Sequence, residues 1–272
     1  MTTIAKPFTA IILAADRTAA DPVAEATGAP CKALAPVGGI PMVLRVLTAL
    51  QQAREVGPCI LCGPSKEIIS QSPELETIIA KHRIRWIPPR ETPSTSAFEA
   101  LQLIKDGSPV LLTTADHALL TPAVVDYFCS QSRQADRDIT VGLAPYAMLR
   151  NAYPHCRRTV SKFRDGSYCT CNLFAFLTPQ SYKAADFWKR VEQQRKKPLR
   201  IIGICGWWTV VRYLLGWLTL EGGVQRIARR MGLRGKPIIM IHPEAAVDVD
   251  TVGDLVLVND IVAKREKSGT PE

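Results

Sequence analysis

The sequence predicts an α/β fold: a mostly parallel central sheet with helices on both faces, a β-hairpin region and a helical insertion in its second half. Three observations predict it. Short continuous apolar runs at Phe8 to Ala14, Cys59 to Cys62 and Pro109 to Thr114 suit strands covered on both faces. Stretches of helical periodicity alternate with them, the pattern of strand-helix-strand units. The chain is 272 residues long and 47% hydrophobic, with its 20 Pro and 17 Gly dispersed, so one continuous core is expected across residues 1–272.

Phe8 to Ala14 reads as the first strand. After a polar loop, Pro41 to Ala53 sets Val43, Val46, Leu47 and Leu50 at helical spacing, with Pro41 acceptable in a first turn. Cys59 to Cys62 is a strand, Glu74 to His82 a helix and Ile84 to Ile87 a short strand. Ser96 to Ile104 is a helix starting after a Pro-Ser-Thr turn, and Pro109 to Thr114 the next buried strand. Residues 1–130 therefore form one half. In the second, about 138–245, Asp138 to Ala144 and Arg157 to Phe163 read as strands, and Arg164 to Ser167 as a turn leading into a paired strand, Tyr168 to Leu177. Tyr182 to Gln194 is helical, 198–234 is a helical insertion, Pro237 to Ile241 is a strand and Thr251 to Lys264 a closing helix.

The 34 Lys and Arg against 25 Asp and Glu leave +9, a surplus that attracts nucleotides, phosphorylated substrates, nucleic acid or an anionic membrane surface. No stacking motif or recognition fold accompanies the basic residues, so nucleic acid is not the expected partner. The eight cysteines are too sparse for a disulfide scaffold, and the single CxxC, Cys59 and Cys62, lies in a strand with no second pair to complete a zinc site. Buried thiols and a reducing, cytoplasmic setting are expected. The first 30 residues lack the pattern of a secretory signal.

Ile201 to Leu220 is about as long as a membrane span. Arg212 at its middle would cost about 2.5 to 3.5 kcal/mol on insertion, and three Gly weaken the helix. Spanning is disfavoured. With Arg195, Lys196, Lys197 and Arg200 before it and Arg226, Arg229 and Arg230 after it, the segment suits a buried helical subdomain or a peripheral membrane contact.

Ligands of an open parallel sheet bind beyond the carboxyl ends of its strands, so the loops after the apolar runs are where chemistry is expected. The first presents Arg17 and Lys32, both able to clamp phosphate, although the spacing is not that of a P-loop. The second ends a buried strand at Asp116, a hard oxygen ligand suited to Mg²⁺; Thr121 is the better-placed cap for the helix that follows. In the third, Asp248 and Asp250 alternate in an extended segment and so point the same way, while Thr251 can cap the closing helix with Asp254 in its first turn.

Taken together, AIILAA at 10–15, CKALAPVGGIPMVLRVLTAL at 31–50, STSAFEAL at 94–101, TTADHALLTP at 113–122 and VDVDTVGDL at 247–255 resemble, in order and spacing, the MobA-like nucleotidyltransferases. That family includes molybdenum-cofactor guanylyltransferase and cytidylyltransferases of small phosphorylated alcohols. The resemblance implies a Rossmann-like three-layer sandwich that moves NMP from an NTP, CTP or GTP, onto a phosphorylated small-molecule acceptor, with Mg²⁺ or Mn²⁺ as cofactor. It implies that Lys32 neutralises triphosphate charge with Arg17. The turn at Leu13, Ala14, Ala15 and Asp16 would wrap the nucleotide, and Ser96 would open the helix beside base and ribose. Metal would be held by Asp116 and one of Asp248 and Asp250.

The acceptor is expected in the second half, where Asn172, Arg157, Arg158, Lys162 and Arg164 can gather around a phosphorylated compound. The family loop usually reads LAGGxGxRM, whereas Ala15-Asp16-Arg17-Thr18 has no glycine to allow close backbone approach to phosphate. A reading from another class draws on that departure and on the basic-flanked Trp207-Trp208 pair: a catalytically degenerate nucleotide-binding or membrane-surface-binding regulatory protein.

Overall fold

The computed structural model describes residues 5–15, 21–193 and 206–267. In chain order its main elements are β1 (Phe8–Leu13), α1 (Pro22–Thr27), β2 (Pro36–Val37), β3 (Ile40–Pro41), α2 (Met42–Gln52), β4 (Val56–Cys62), α3 (Lys66–Ile69) and α4 (Pro73–Lys81). Then come β5 (Arg85–Ile87), α5 (Pro93–Gln102), β6 (Val110–Thr114), α6 (Pro122–Gln134), β7 (Ile139–Pro145), α7 (Tyr146–Ala152), β8 (Ser161–Phe163) and β9 (Gly166–Phe176). The chain continues through α8 (Lys183–Gln193), α9 (Trp207–Leu214), α10 (Leu220–Arg230), β10 (Gly235–Ile239) and α11 (Val252–Lys267).

The main sheet runs β10-β7-β9-β6-β1-β4-β5, with β8 paired to β9. β1 lies between β4 and β6, parallel to both, and every one of its residues is buried. That is why Phe8 to Leu13 is apolar at every position but Thr9 rather than alternating. Successive side chains still point to opposite faces: Ala10 and Ile12 join the core cluster holding Val43, Val46, Leu47 and Phe128, whereas Ile11 and Leu13 join the one holding Ala97, Leu101 and Ala185. The sheet is therefore the middle of three layers, with α2, α6 and α11 on one face and α5, α8 and α10 on the other.

β9 interrupts the parallel order. It returns antiparallel between β6 and β7, pairing with both, and turns back to β8 through Arg164 and Asp165. The expected strand from Arg157 is shorter than its sequence suggests: only Ser161–Phe163 joins the sheet, because Arg158 turns to an ion pair with Asp248 instead. Residues 22–27, expected as loop, form α1, whose first amides are capped by Asp21 and whose Pro22 needs no hydrogen bond in the first turn. Of the insertion expected at 198–234, the described part is two separate helices, α9 and α10. Among the described residues no helix is long and apolar enough to cross a membrane. The seven described cysteines are buried.

Candidate active site

A cleft of about 580 Å³ opens beyond the carboxyl ends of β1 and β6. Three backbone segments form its charged wall. The 3-10 turn at Lys32–Leu34 buries Ala33 and Leu34 and thereby aims Lys32 outward. The end of β6 delivers Asp116, and a hydrogen bond of 3.0 Å from the Val249 amide to the Asp116 carbonyl ties the extended segment of Asp248 and Asp250 beside it. Asp250 is anchored from the other side, since the Asp254 carboxylate accepts from the amides of Asp250 and Thr251 while Thr251 Oγ1 accepts from the Asp254 amide. The sequence leads one to expect the Thr251 cap, and the structure adds the reciprocal bonds from Asp254.

The Lys32 ammonium lies 2.7 Å from Asp116 Oδ2 and 2.9 Å from Asp250 Oδ1, bridging a mid-chain carboxylate and one near the C-terminus. Its burial disfavours the charge, but the attraction of Asp116 and Asp250 outweighs that and raises its pKa from 10.5 to about 12. Arg158 forms a second ion pair with Asp248, donating to both the carboxylate and the backbone carbonyl. Asn172, with its backbone at φ 49°, donates from Nδ2 to the same carboxylate. Burial pushes the Asp248 carboxyl up, to about 7; Arg158 opposes this while the charges of Asp116 and Asp250 reinforce it.

The remaining expected site residues separate into groups. Leu13, Ala14, Ala15, Lys32, Asp116, Asn172, Asp248 and Asp250 all line the cleft. Asp16 and Arg17 lie outside the described residues. Ser96 is buried away from the lining, and its hydroxyl accepts a 3.0 Å hydrogen bond from the Arg90 amide; α5 instead offers Pro93, one residue after its Thr92 cap. Arg158 lines the cleft, whereas Lys162 and Arg164 are exposed on the hairpin. Thr121 caps α6, which leaves Asp116 to the cleft. His117 is buried behind the wall, and burial holds it down near a pKa of about 4, against the pull of Asp116, so it is neutral at pH 7.

Several lining residues carry no local signal in the sequence. Thr113 and Thr114 have buried hydroxyls with no hydrogen-bond partner among the described residues. Phe174 and Trp188 add aromatic surface, with α8 held to α5 by the hydrogen bond between Ser94 and Glu192. A Trp on a helix 74 residues after the end of β6 cannot be assigned to a cleft by periodicity.

The profile of the MobA-like NTP transferase domain matches residues 10–164, more than half of the chain. The chain belongs to the MobA-like NTP transferase family. A nucleotidyltransferase is therefore the kind of enzyme it is, with an α/β Rossmann-like fold. Among solved structures this MobA-like domain is similar to a hypothetical transferase from Thermus thermophilus, at 28% identity and a TM-score of 0.75, covering 92% of this chain and 99% of that one. It also resembles CMP:2-keto-3-deoxy-manno-octonic acid synthetase complexed with CTP, at 11% identity and a TM-score of 0.57, over 94% and 99% of the two chains. A further match is 4-diphosphocytidyl-2C-methyl-D-erythritol synthase from Anaerococcus prevotii, at 15% identity and 0.57, over 95% and 96%. At these identities the last two show shared fold alone. A search of curated proteins gave no match.

Proposed function

We propose that this enzyme transfers NMP from CTP or GTP to the phosphate of a small-molecule acceptor and releases pyrophosphate, with Mg²⁺ or Mn²⁺ as cofactor. The observation that carries the proposal is the Lys32 bridge between Asp116 and Asp250, set at the mouth of a large cleft in a MobA-like domain. CTP is favoured as the first nucleotide to test, since one similar structure contains it and another protein is named for a cytidylyl product.

The donor set fits a hard divalent cation. Asp116 keeps a buried Oδ1 with no hydrogen-bond partner among the described residues, next to the half-exposed carboxylate of Asp250. No three acidic or thiol side chains among the described residues form a cage by themselves. That suits Mg²⁺, which takes one or two carboxylates and fills its other positions with water and substrate phosphates. Asp116 and Asp250 would hold it, with Asp248 kept back by Arg158 and Asn172. When bound, the cation would supply Lewis-acid polarisation of the phosphoryl oxygens.

This chain's own groups do the rest. Lys32 can exchange its carboxylates for triphosphate oxygens, so neither charge loses an opposite partner during binding. An acceptor phosphate oxygen attacks the α-phosphorus, the bond from that phosphorus to the bridging oxygen of the β-phosphate breaks, and pyrophosphate leaves with the electron pair. Lys32 stabilises the charge that develops on it. Thr113 and Thr114 can donate to the nucleotide, and Trp188 and Phe174 exclude water beside it. The acceptor is assigned to the end of the cleft formed by Arg158, Thr159, Thr170 and Asn172.

The test is pyrophosphate release from each NTP with Mg²⁺, across phosphorylated sugars, polyols and cofactors. Release with one nucleotide and one acceptor class is expected. Failure of every NTP either to bind or to release pyrophosphate overturns the proposal.

A further inference from the structure

Eleven residues of the second half carry an unusual surface. Trp207, Trp208, Leu214, Leu215 and Trp217 are between 52 and 76% exposed, and Tyr213 is partly so. Other large exposed apolar side chains, such as Ile40 and Val256, are aliphatic and dispersed along the chain. These lie on α9 and on the turn that ends it. That turn is exposed, and Gly216 within it adopts φ +69°.

Cations border the apolar surface. Arg212 is exposed on α9 itself. The β8–β9 hairpin docks against α9 through Phe163 and Tyr213, whose rings are 5.5 Å apart, and the Arg164 amide donates to the Leu218 carbonyl. Exposed Arg164 is thereby set beside Leu218, the residue that follows Trp217. Of the neighbouring acids, Asp165 accepts from the Leu220 amide and Glu221 from Gln225.

We infer that Trp207 to Trp217 is a membrane-surface contact that rests on anionic phospholipid headgroups. Three Trp in one exposed element match the interfacial preference of indole, which keeps an apolar ring in the acyl boundary and its N–H among headgroups. α9 has only eight residues, too few to span, which leaves lying in the interface plane. Arg212 and Arg164 supply attraction to anionic lipid, and the chain's +9 acts in the same direction. The same surplus repels a second copy of the chain. β9 connects the hairpin to Thr170 and Asn172, which line the cleft. The contact does not depend on the transfer chemistry.

The test uses the full chain and needs no turnover. Flotation with vesicles of phosphatidylcholine plus phosphatidylglycerol, and of phosphatidylcholine alone, is run at low and high salt, together with quenching of Trp emission by brominated lipid. Binding to the anionic vesicles, weakened by salt and accompanied by quenching in the unmodified protein, is expected. Replacing Trp207, Trp208 and Trp217 with Ser should weaken binding at least about tenfold, and Arg212→Glu by a smaller factor. These side chains are exposed, and an unchanged melting temperature verifies that the variants fold. Protein left unfloated at low salt, binding without quenching, or undiminished binding of the triple variant overturns the inference. So does a dimer, seen by sedimentation, that the triple variant abolishes, since the surface then serves a second copy.

Discussion

Lys32→Met keeps most of the side-chain volume and removes the charge, so its consequences follow from the carboxylates left behind. The side chain is 15% exposed and its ammonium contacts Asp116 and Asp250 at 2.7 and 2.9 Å. Burial disfavours the ammonium, yet the two carboxylates raise its pKa from 10.5 to about 12. That rise corresponds to about 2 kcal/mol in favour of the charged form in the native state. Because the native value lies above the unfolded one, this stabilisation is complete below pH 10.5 and is lost as pH rises through about 12.

At neutral pH, therefore, metal-free Lys32→Met should unfold about 4 to 8 °C below the wild type. The same substitution leaves charge on the departing pyrophosphate uncompensated, and kcat/KM for the nucleotide should fall by about 100- to 1,000-fold. Adding Asp116→Asn relieves the unpaired buried carboxylate, so the double variant should recover part of the lost stability and none of the activity. Thermal unfolding in chelator and a pyrophosphate-release assay measure both effects. A Lys32→Met protein with wild-type melting and wild-type kcat/KM would refute the reasoning.

Asp116→Asn alone, with the fold intact by circular dichroism, should reduce pyrophosphate release by about 100-fold or more, as should excess chelator on the wild type; full activity in either case contradicts the metal assignment. Arg158→Met removes the charge that opposes protonation of the buried Asp248 and pushes its pKa further up from about 7, so the variant should lose stability relative to the wild type as pH rises through 7, a loss largely recovered by Asp248→Asn in the same chain; the absence of such coupling would separate the two residues. Asp254→Ala removes the reciprocal cap of α11 and should cost about 1 kcal/mol, while loosening Asp250 enough to raise the KM for nucleotide. In a Cys205→Ser background the native protein should resist thiol reagents at pH 8, because burial raises Cys59 to about 11 and Cys62 to about 12 and pushes Cys129 and Cys171 higher still; rapid modification without unfolding would disprove it.

The parts of the protein that its sequence determined are those governed by local physics. Phe8 to Leu13 was legible as a strand covered on both faces, because the run is too short for a helix and only Thr9 interrupts its apolar side chains. Met42 to Leu50 declared a helix by the spacing of its buried Val and Leu residues. Thr121 and Thr251 declared helix starts because a side-chain oxygen there satisfies amides that the helix leaves over. Asp116 was legible for a related reason: a carboxylate at the end of a buried strand, with another residue doing the capping, has no local use.

Tertiary structure alone decided which of these groups meet. The antiparallel insertion of β9 between β6 and β7 follows from sheet register, which periodicity leaves open, since any two apolar strands offer the same ladder of amides and carbonyls. Arg158 and Asn172 were expected around an acceptor, and only the folded chain shows that both are held by Asp248. Ser96 had the residue type for a nucleotide contact, but the start of α5 at Pro93 turns its hydroxyl into the Arg90 loop. Lys32 meets Asp116 across 84 residues and Asp250 across 218. Spacing along a chain records which face of an element a side chain occupies. Only the packing of three layers fixes how far apart those faces end, and at this cleft that distance is what makes separate charges a site.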